Sequence, residues 1–216
     1  MTIPYNAKPF SNRSYIRDAL LEKKIELEPK ELTNTVQAVR DAMNVVVPGP
    51  MEVMKWVENE VKEVLKADKK YLKWETPSGF IVHQEIMEYD MKKPSRIQLK
   101  LLGGCRLQLG NLTDKPNITR HKAATAPNLI HSLDASLLHL AVTRFNKPIA
   151  LIHDSVLCRA SDMDILDFLV RQTYVELFAN RNYLKEFAQQ IGATTEPPII
   201  GDLKPETVMK STYFFC

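Results

Sequence analysis

Apolar positions along the chain recur with two periods. In ELTNTVQAVRDAMNVVVPGP (31–50) they follow helical spacing until Pro48-Gly49-Pro50 marks a stop, because proline lacks the amide hydrogen that a helix interior uses. MEVMKWVENEVKEVLK then sets Val53, Trp56, Val57, Val61, Val64 and Leu65 on one helical stripe, with charges on the other face. These two helices read as scaffold. KYLKWETPSGFIVHQE predicts a hairpin turning at Pro77-Ser78-Gly79, where proline presets the first turn dihedral and glycine accepts a positive one. The segment before these elements is polar and aromatic, and no internal repeat is present.

A second alternating block, RIQLKLLGGCRLQLG (96–110), carries more information. Arg96, Gln98 and Lys100 fall on one face of its first strand and Arg106 and Gln108 on one face of its second, with Ile97, Leu99, Leu101, Leu107 and Leu109 opposite. A three-residue loop, Gly103 to Cys105, brings the two polar faces together; a two-residue Gly103-Gly104 turn sets them apart. The pattern favours the three-residue loop. A ribbon with Arg and Gln outward can enter a DNA major groove, where Arg reads guanine and Gln reads adenine edges. A half-buried hairpin with a solvated polar face fits the same pattern.

APNLIHSLDASLLHLAVTRF (126–145) predicts a helix whose apolar stripe is Ile130, Leu133, Leu137, Leu140 and Ala141, with His131 and Asp134 three apart on a neighbouring face. PIALIHDSVLCRA follows, its apolar runs 149–152 and 156–158 flanking His153-Asp154-Ser155 at a tight hairpin tip. Ser161 is expected to open the next helix, with Asp164 as a capping partner. An unpaired carboxylate within a buried strand pair costs several kcal/mol, so Asp154 is expected to meet a cation.

Composition narrows the class. The 216 residues are 44% hydrophobic, enough for a packed core, and the net charge of +3 is mild. No run reaches the apolar length of a signal peptide or membrane span, so an intracellular protein with no membrane partner is expected. Three cysteines without a CxxC pair argue against a disulfide framework or a structural zinc site, and no HExxH spacing is present. A carboxylate on a rigid hairpin tip suits Mg²⁺, which takes few hard oxygen ligands and keeps waters for substrate phosphates. Two-metal nucleotidyl transfer needs a second carboxylate. Asp134, Asp162 and Asp164 read instead as a helix-face residue and capping residues.

APNLIHSLDAS (126–136), ALIHDS (150–155) and the final STYFFC resemble the carboxy-terminal part of the single-subunit DNA-directed RNA polymerases of bacteriophages, mitochondria and plastids. The opening MTIPYNAKPF is similar to that family's fingers helix, in which a tyrosine, here Tyr5, monitors the sugar of the incoming nucleotide. Related DNA polymerases usually carry a glutamate after the His-Asp pair and lack the Pro-Asn-x-x-His-Ser segment, so Ser155 and Pro127 to Ser132 favour the RNA polymerase side.

The resemblance implies an α+β fold: the end of the fingers over 1–126, with a specificity-type hairpin near 93–112, and the second part of a right-hand palm over 127–216, mostly helical with an antiparallel palm hairpin. It implies that Asp154 is the second metal-binding catalytic aspartate, with His153 beside it, and that His131 helps to arrange Tyr5 near the substrate. Arg96, Gln98, Arg106 and Gln108 fall at the spacing of the phage enzymes' base-reading side chains, and Lys100 shares their face. Leu137 stands where the family has a histidine, and the terminal Tyr-Phe-Phe resembles its C-terminal foot. The implied cofactor is Mg²⁺, and the implied partners are DNA template and promoter, RNA product and ribonucleoside triphosphates.

The family's first catalytic aspartate and its phosphate-gripping lysine and arginine are expected upstream of residue 1, on a separate polypeptide. A split gene, a truncated frame or a fragment would account for that. A phage source acting in the host cytoplasm is expected, with the mitochondrial matrix as the alternative. A non-catalytic DNA-binding module derived from the same fold is the second functional reading, and a metal phosphohydrolase a distant third.

Overall fold

A computed structural model describes residues 9–67, 69–99, 105–199 and 201–214. Three helices open the chain: α1 (Pro9–Glu22), α2 (Pro29–Val46) and α3 (Pro48–Lys66). Two hairpins follow, β1 (Leu72–Glu75) with β2 (Ile81–Gln84), then the longer β3 (Met87–Leu99) with β4 (Cys105–Pro116). Helix α4 (Ile118–Arg144) leads to a third hairpin, β5 (Ile149–Ile152) with β6 (Ser155–Cys158), and α5 (Met163–Phe178), α6 (Tyr183–Ile191) and a 3₁₀ helix at Pro205–Lys210 follow. The architecture is thus helices combined with small antiparallel hairpins. Among the described residues no helix is long and apolar enough to cross a membrane.

Helix α4 ties two apolar cores together. Its first half contributes Ala126 and Leu129 to a cluster with Val57 and Val61 of α3, Trp74 of β1 and Phe187 of α6. The predicted stripe of α3 is that cluster's main wall: Trp56, Val57, Val61, Val64 and Leu65 are all buried there, with Val53 packed against them. The second half of α4 contributes Ala141 to a smaller cluster with Phe145, Leu166 and Val170, against which Ile149, Val156 and Phe214 pack.

Several expectations change. Pro48-Gly49-Pro50 both ends α2 and forms the first turn of α3, where a missing amide hydrogen has no intrahelical partner to lose. Helix α4 starts at Ile118 rather than near Ala126, capped by Asn117, whose Oδ1 accepts the Arg120 amide at 2.9 Å; Pro127 lies inside it. Within α4, Ile130, Leu133, Leu137 and Leu140 are half-buried, while Ala126, Leu129, Leu138 and Ala141 are the buried apolar positions. Ser161 does not open α5. It lies in a 3₁₀ turn, Ala160–Asp162, and the buried Asp162 makes no capping bond but accepts from Arg159 Nε at 2.8 Å, with Lys147 Nζ at 3.6 Å.

The β3–β4 ribbon is rooted in α4 by a buried polar knot. The Asn117 amide donates to the Ile86 carbonyl at 2.8 Å. The fully buried His121 accepts the Ile86 backbone amide on Nε2 at 3.1 Å and has the side-chain Nε2 of Gln84 3.0 Å from Nδ1. A backbone amide can only donate, so Nε2 is an acceptor and the ring is not the doubly protonated cation. Burial pushes the His121 pKa below the ordinary imidazole value, against the pull of Glu85.

Candidate active site

The β5–β6 hairpin fixes the tip. Its register, Ile149↔Cys158 through Ile152↔Ser155, leaves His153 and Asp154 as a two-residue turn, and His153 takes the left-handed backbone with φ 57°. Histidine tolerates that region better than a β-branched residue would. Ile149, Val156 and Cys158 pack inward. The other face is open, with Ile152 65% and Leu157 69% exposed.

That geometry corrects the expectation of a buried carboxylate. Asp154 is exposed at the tip, as are His153 and Ser155, because a two-stranded sheet covered on one side has only one buried face.

His131 and Asp134 of α4 are both exposed and one helical turn apart. The Asp134 carboxyl is pushed above its ordinary value, first by partial desolvation and also by the charge of Asp154, while His131 pulls it down. The Asp134 side chain is open to water, so the proximity matters more than the size of the shift: charges couple appreciably only within about a Debye length, roughly 8–10 Å. His131 and Asp134 of α4 and Asp154 of the hairpin tip thus influence one another electrostatically from two separate elements. Asp134 is the member that sequence reading assigned only to a helix face. Its signal was the i, i+3 spacing from His131.

Among the described residues, no group of three or more His, Cys, Asp or Glu is arranged to enclose a metal ion. An open pair of neighbouring carboxylates nevertheless suits Mg²⁺, which is held by one or two carboxylates and completed by water and substrate phosphates. Tyr5 and Lys100 lie outside the described residues.

The ribbon's register pairs Arg96 with Gln108 and Gln98 with Arg106, which puts these four positions on one face. The matching polar faces are as the three-residue loop would give, but the loop itself differs: Cys105 is a strand residue opposite Leu99. The ribbon is also longer than the alternation indicated, running back to Met87 and on to Pro116. Between Asp90 and Ser95 the register shifts, so that extra residues including Pro94 are accommodated on β3. Proline cannot donate to a ladder, and a bulge is where it is tolerated.

Two further features escaped sequence reading. Helix α6 begins where Asn182 Oδ1 accepts the Lys185 amide at 3.1 Å and ends at Gly192 with φ 74°; the Asn and Gly flanking a short amphipathic run were its signals. The other is Glu60 of α3, only 2% exposed, whose carboxylate accepts from the Thr194 amide and from the hydroxyls of Thr194 and Thr195. Hydrogen bonds between residues so distant in sequence leave no local trace.

A family model for DNA-dependent RNA polymerase matches residues 1–197. Among similar curated proteins, the DNA-directed RNA polymerase of Pseudomonas phage phiKMV is 32% identical over 181 residues, covering 82% of this chain and 22% of that protein. The DNA-directed RNA polymerase of Enterobacteria phage T3 is 30% identical over 254 aligned residues, covering 100% of this chain and 28% of that protein. The DNA-directed RNA polymerase 2, chloroplastic/mitochondrial, of Arabidopsis thaliana is 27% identical, covering 100% of this chain and 22% of its own length. The chain thus spans about a quarter of the length of these relatives.

Proposed function

Because the chain belongs to the DNA-dependent RNA polymerase family, we propose that it is the C-terminal catalytic portion of an RNA polymerase, making RNA on a DNA template from ribonucleoside triphosphates. The observations that carry this reading are the family match over residues 1–197 and the fixed place of Asp154 on its two-residue turn. In this reading residues 1–126 end the fingers and 127–216 form the second part of the palm. Host cytoplasm is the expected compartment if the source is a phage, and the mitochondrial matrix the alternative.

Asp154 would hold Mg²⁺ through a hard carboxylate oxygen, with Asp134 close enough to share the charge of the site. Bound magnesium supplies Lewis acidity that favours ionisation of the attacking hydroxyl and offsets the charge of the leaving pyrophosphate. The protein's own contribution is positional. The short hairpin limits where the Asp154 carboxylate can point, and His131 offers a ring nitrogen to the sugar of nucleotide or primer end, with His153 beside the tip and Tyr5 assigned to the same sugar. The one-face array of Arg96, Gln98, Arg106 and Gln108 would read promoter DNA in the major groove, and Lys100 is assigned to the same DNA.

Two-metal transfer needs a further aspartate, which we assign to an upstream polypeptide carrying the rest of the relatives' length. Its docking surface on this chain would include the open apolar face at Ile152 and Leu157. RNA primer extension on a DNA template with Mg²⁺ tests the assignment, comparing the chain alone, the chain with an upstream polypeptide, and Asp154→Asn in both. The expected result is extension only in the mixture and its loss with Asp154→Asn. Extension unaffected by Asp154→Asn refutes the catalytic role; DNA binding without extension in any mixture favours a derived binding module.

A further inference from the structure

Between the β1–β2 turn and α4 lies a cavity of about 440 Å³ that the carboxylate tip does not use. Its floor is stitched by hydroxyls. Trp74 Nε1 donates to Ser132 Oγ at 3.3 Å, Ser132 Oγ donates to the Asn128 carbonyl at 2.6 Å, and Ser136 Oγ donates to the Ser132 carbonyl at 2.6 Å. The Ser78 amide reaches Ser136 Oγ at 3.4 Å, which ties the turn to the helix. A floor bonded in this way is organised before any ligand arrives.

Two walls face each other across it. On α4, His131, Ala135 and His139 recur at i, i+4 and i+8, so two exposed imidazoles flank a methyl group and stand about 12 Å apart along the axis. On the turn, Phe80 is 66% exposed. Its backbone is held in place: the Thr76 amide donates to the Phe80 carbonyl at 2.8 Å, the Phe80 amide donates to Thr76 Oγ1 at 3.1 Å, and Gly79 supplies the φ of 83° that closes the turn.

The lining selects a chemical class. It contains neither carboxylates to hold a cation nor Lys or Arg to hold a phosphate. An exposed ring over a hydroxyl and imidazole floor suits a flat, uncharged group with polar edges. A nucleobase is such a group, and stacking on an aromatic side chain binds it with little regard to sequence.

We propose that this bay is a stacking subsite for an unpaired nucleobase of a single strand, RNA product or DNA template, next to the active centre. The subsite's place in the reaction rests on the polymerase reading, through the shared residue His131. Phe80 is the platform, and His139 supplies a polar contact at the far end.

The test is anisotropy titration of the chain with labelled single-stranded RNA, single-stranded DNA and a DNA duplex across a salt series. Phe80→Ala is expected to weaken single-strand binding about 5- to 150-fold, the equivalent of about 1–3 kcal/mol of stacking. The slope of log affinity against log salt should not change, because no phosphate contact is lost. Phe80→Trp should restore binding. Loss confined to RNA or to DNA identifies the strand, and loss on both supports a site that either can enter. Phe80 is largely exposed, so an unchanged melting temperature is expected for Phe80→Ala.

Unchanged single-strand affinity in both Phe80→Ala and His139→Ala overturns the proposal, as does a loss accompanied by a changed salt slope. The primer-extension result is independent. If Asp154→Asn abolishes extension while Phe80→Ala and His139→Ala both bind normally, the subsite fails and the polymerase reading stands. If Phe80→Ala impairs binding but no mixture extends, the subsite stands and the polymerase reading fails.

Discussion

Replacing Glu60 with glutamine removes a charge while nearly keeping the shape, at a point where α3 holds the segment after α6. In the native chain one carboxylate oxygen accepts both the Thr194 amide and, at 3.0 Å, the Thr194 hydroxyl, while the other accepts the Thr195 hydroxyl at 2.6 Å. Glutamine keeps one acceptor oxygen and turns the other into a donor. Bonds to a charged group contribute about 1.5–3 kcal/mol and neutral ones about 0.5–1.5. Weakening the amide bond and losing one hydroxyl bond therefore removes about 2 kcal/mol in total. Thr194 and Thr195 are exposed, so water satisfies the released hydroxyls and keeps the loss from rising further.

The pH dependence sharpens this. Burial pushes the Glu60 pKa up, but the bonds from Thr195 and Thr194 outweigh it and hold the group below its ordinary value of 4.5. The folded value is thus lower than the unfolded one, so the stabilisation is complete above the unfolded pKa and disappears as pH falls through the folded pKa. Urea unfolding followed by tryptophan fluorescence suits the measurement, because Trp56 Nε1 donates to Thr195 Oγ1 at 3.1 Å. The gap between native chain and Glu60→Gln should be constant from neutral pH down to the ordinary carboxylate range, then narrow. No gap at neutral pH, or one that widens in acid, would refute the reasoning.

His121 predicts a second acid response. Its folded pKa lies below the unfolded value of 6.5, so the unfolded chain binds the extra proton first and stability declines as pH falls below that value; His121→Gln should flatten this decline in urea midpoints, and an unchanged slope would count against it. Gly110 lies in the ribbon where a Cβ would stand 2.9 Å from the Asp90 carbonyl oxygen and 2.6 Å from the Met91 sulfur. The methionine can move, but the backbone oxygen cannot without disturbing the pairing. Gly110→Ala should cost about 1–3 kcal/mol locally and raise amide exchange in β3–β4; normal exchange there would contradict the packing.

What sequence could reveal followed the range of the interaction. The turn at Pro77-Ser78-Gly79 and the hairpin around His153-Asp154 were legible, because alternation and turn chemistry act between near neighbours. Asp154 was misjudged as buried because apolar runs such as Ile149–Ile152 do not show whether a second layer covers both faces. The start of α4 was placed too late because Pro127 looks like a helix's first turn, whereas Asn117 and the His121 knot carry the helix back to the ribbon. Asp134 could be placed on a helix face from spacing alone, but its electrostatic coupling to Asp154, 20 residues on, leaves no trace in local sequence.

Helix α4 is also a ruler. Its cap, Asn117, touches the root of the ribbon, and His131 lies 14 residues along it, about 21 Å at 1.5 Å per residue. In the polymerase reading that length contributes a fixed offset between the base pairs that are read and the site where the first bond forms, comparable to about six steps of a DNA strand at 3.4 Å each. An insertion or deletion within this span would rotate His131 about the helix axis as well as shift it, so promoter spacing and chemistry could not be adjusted independently.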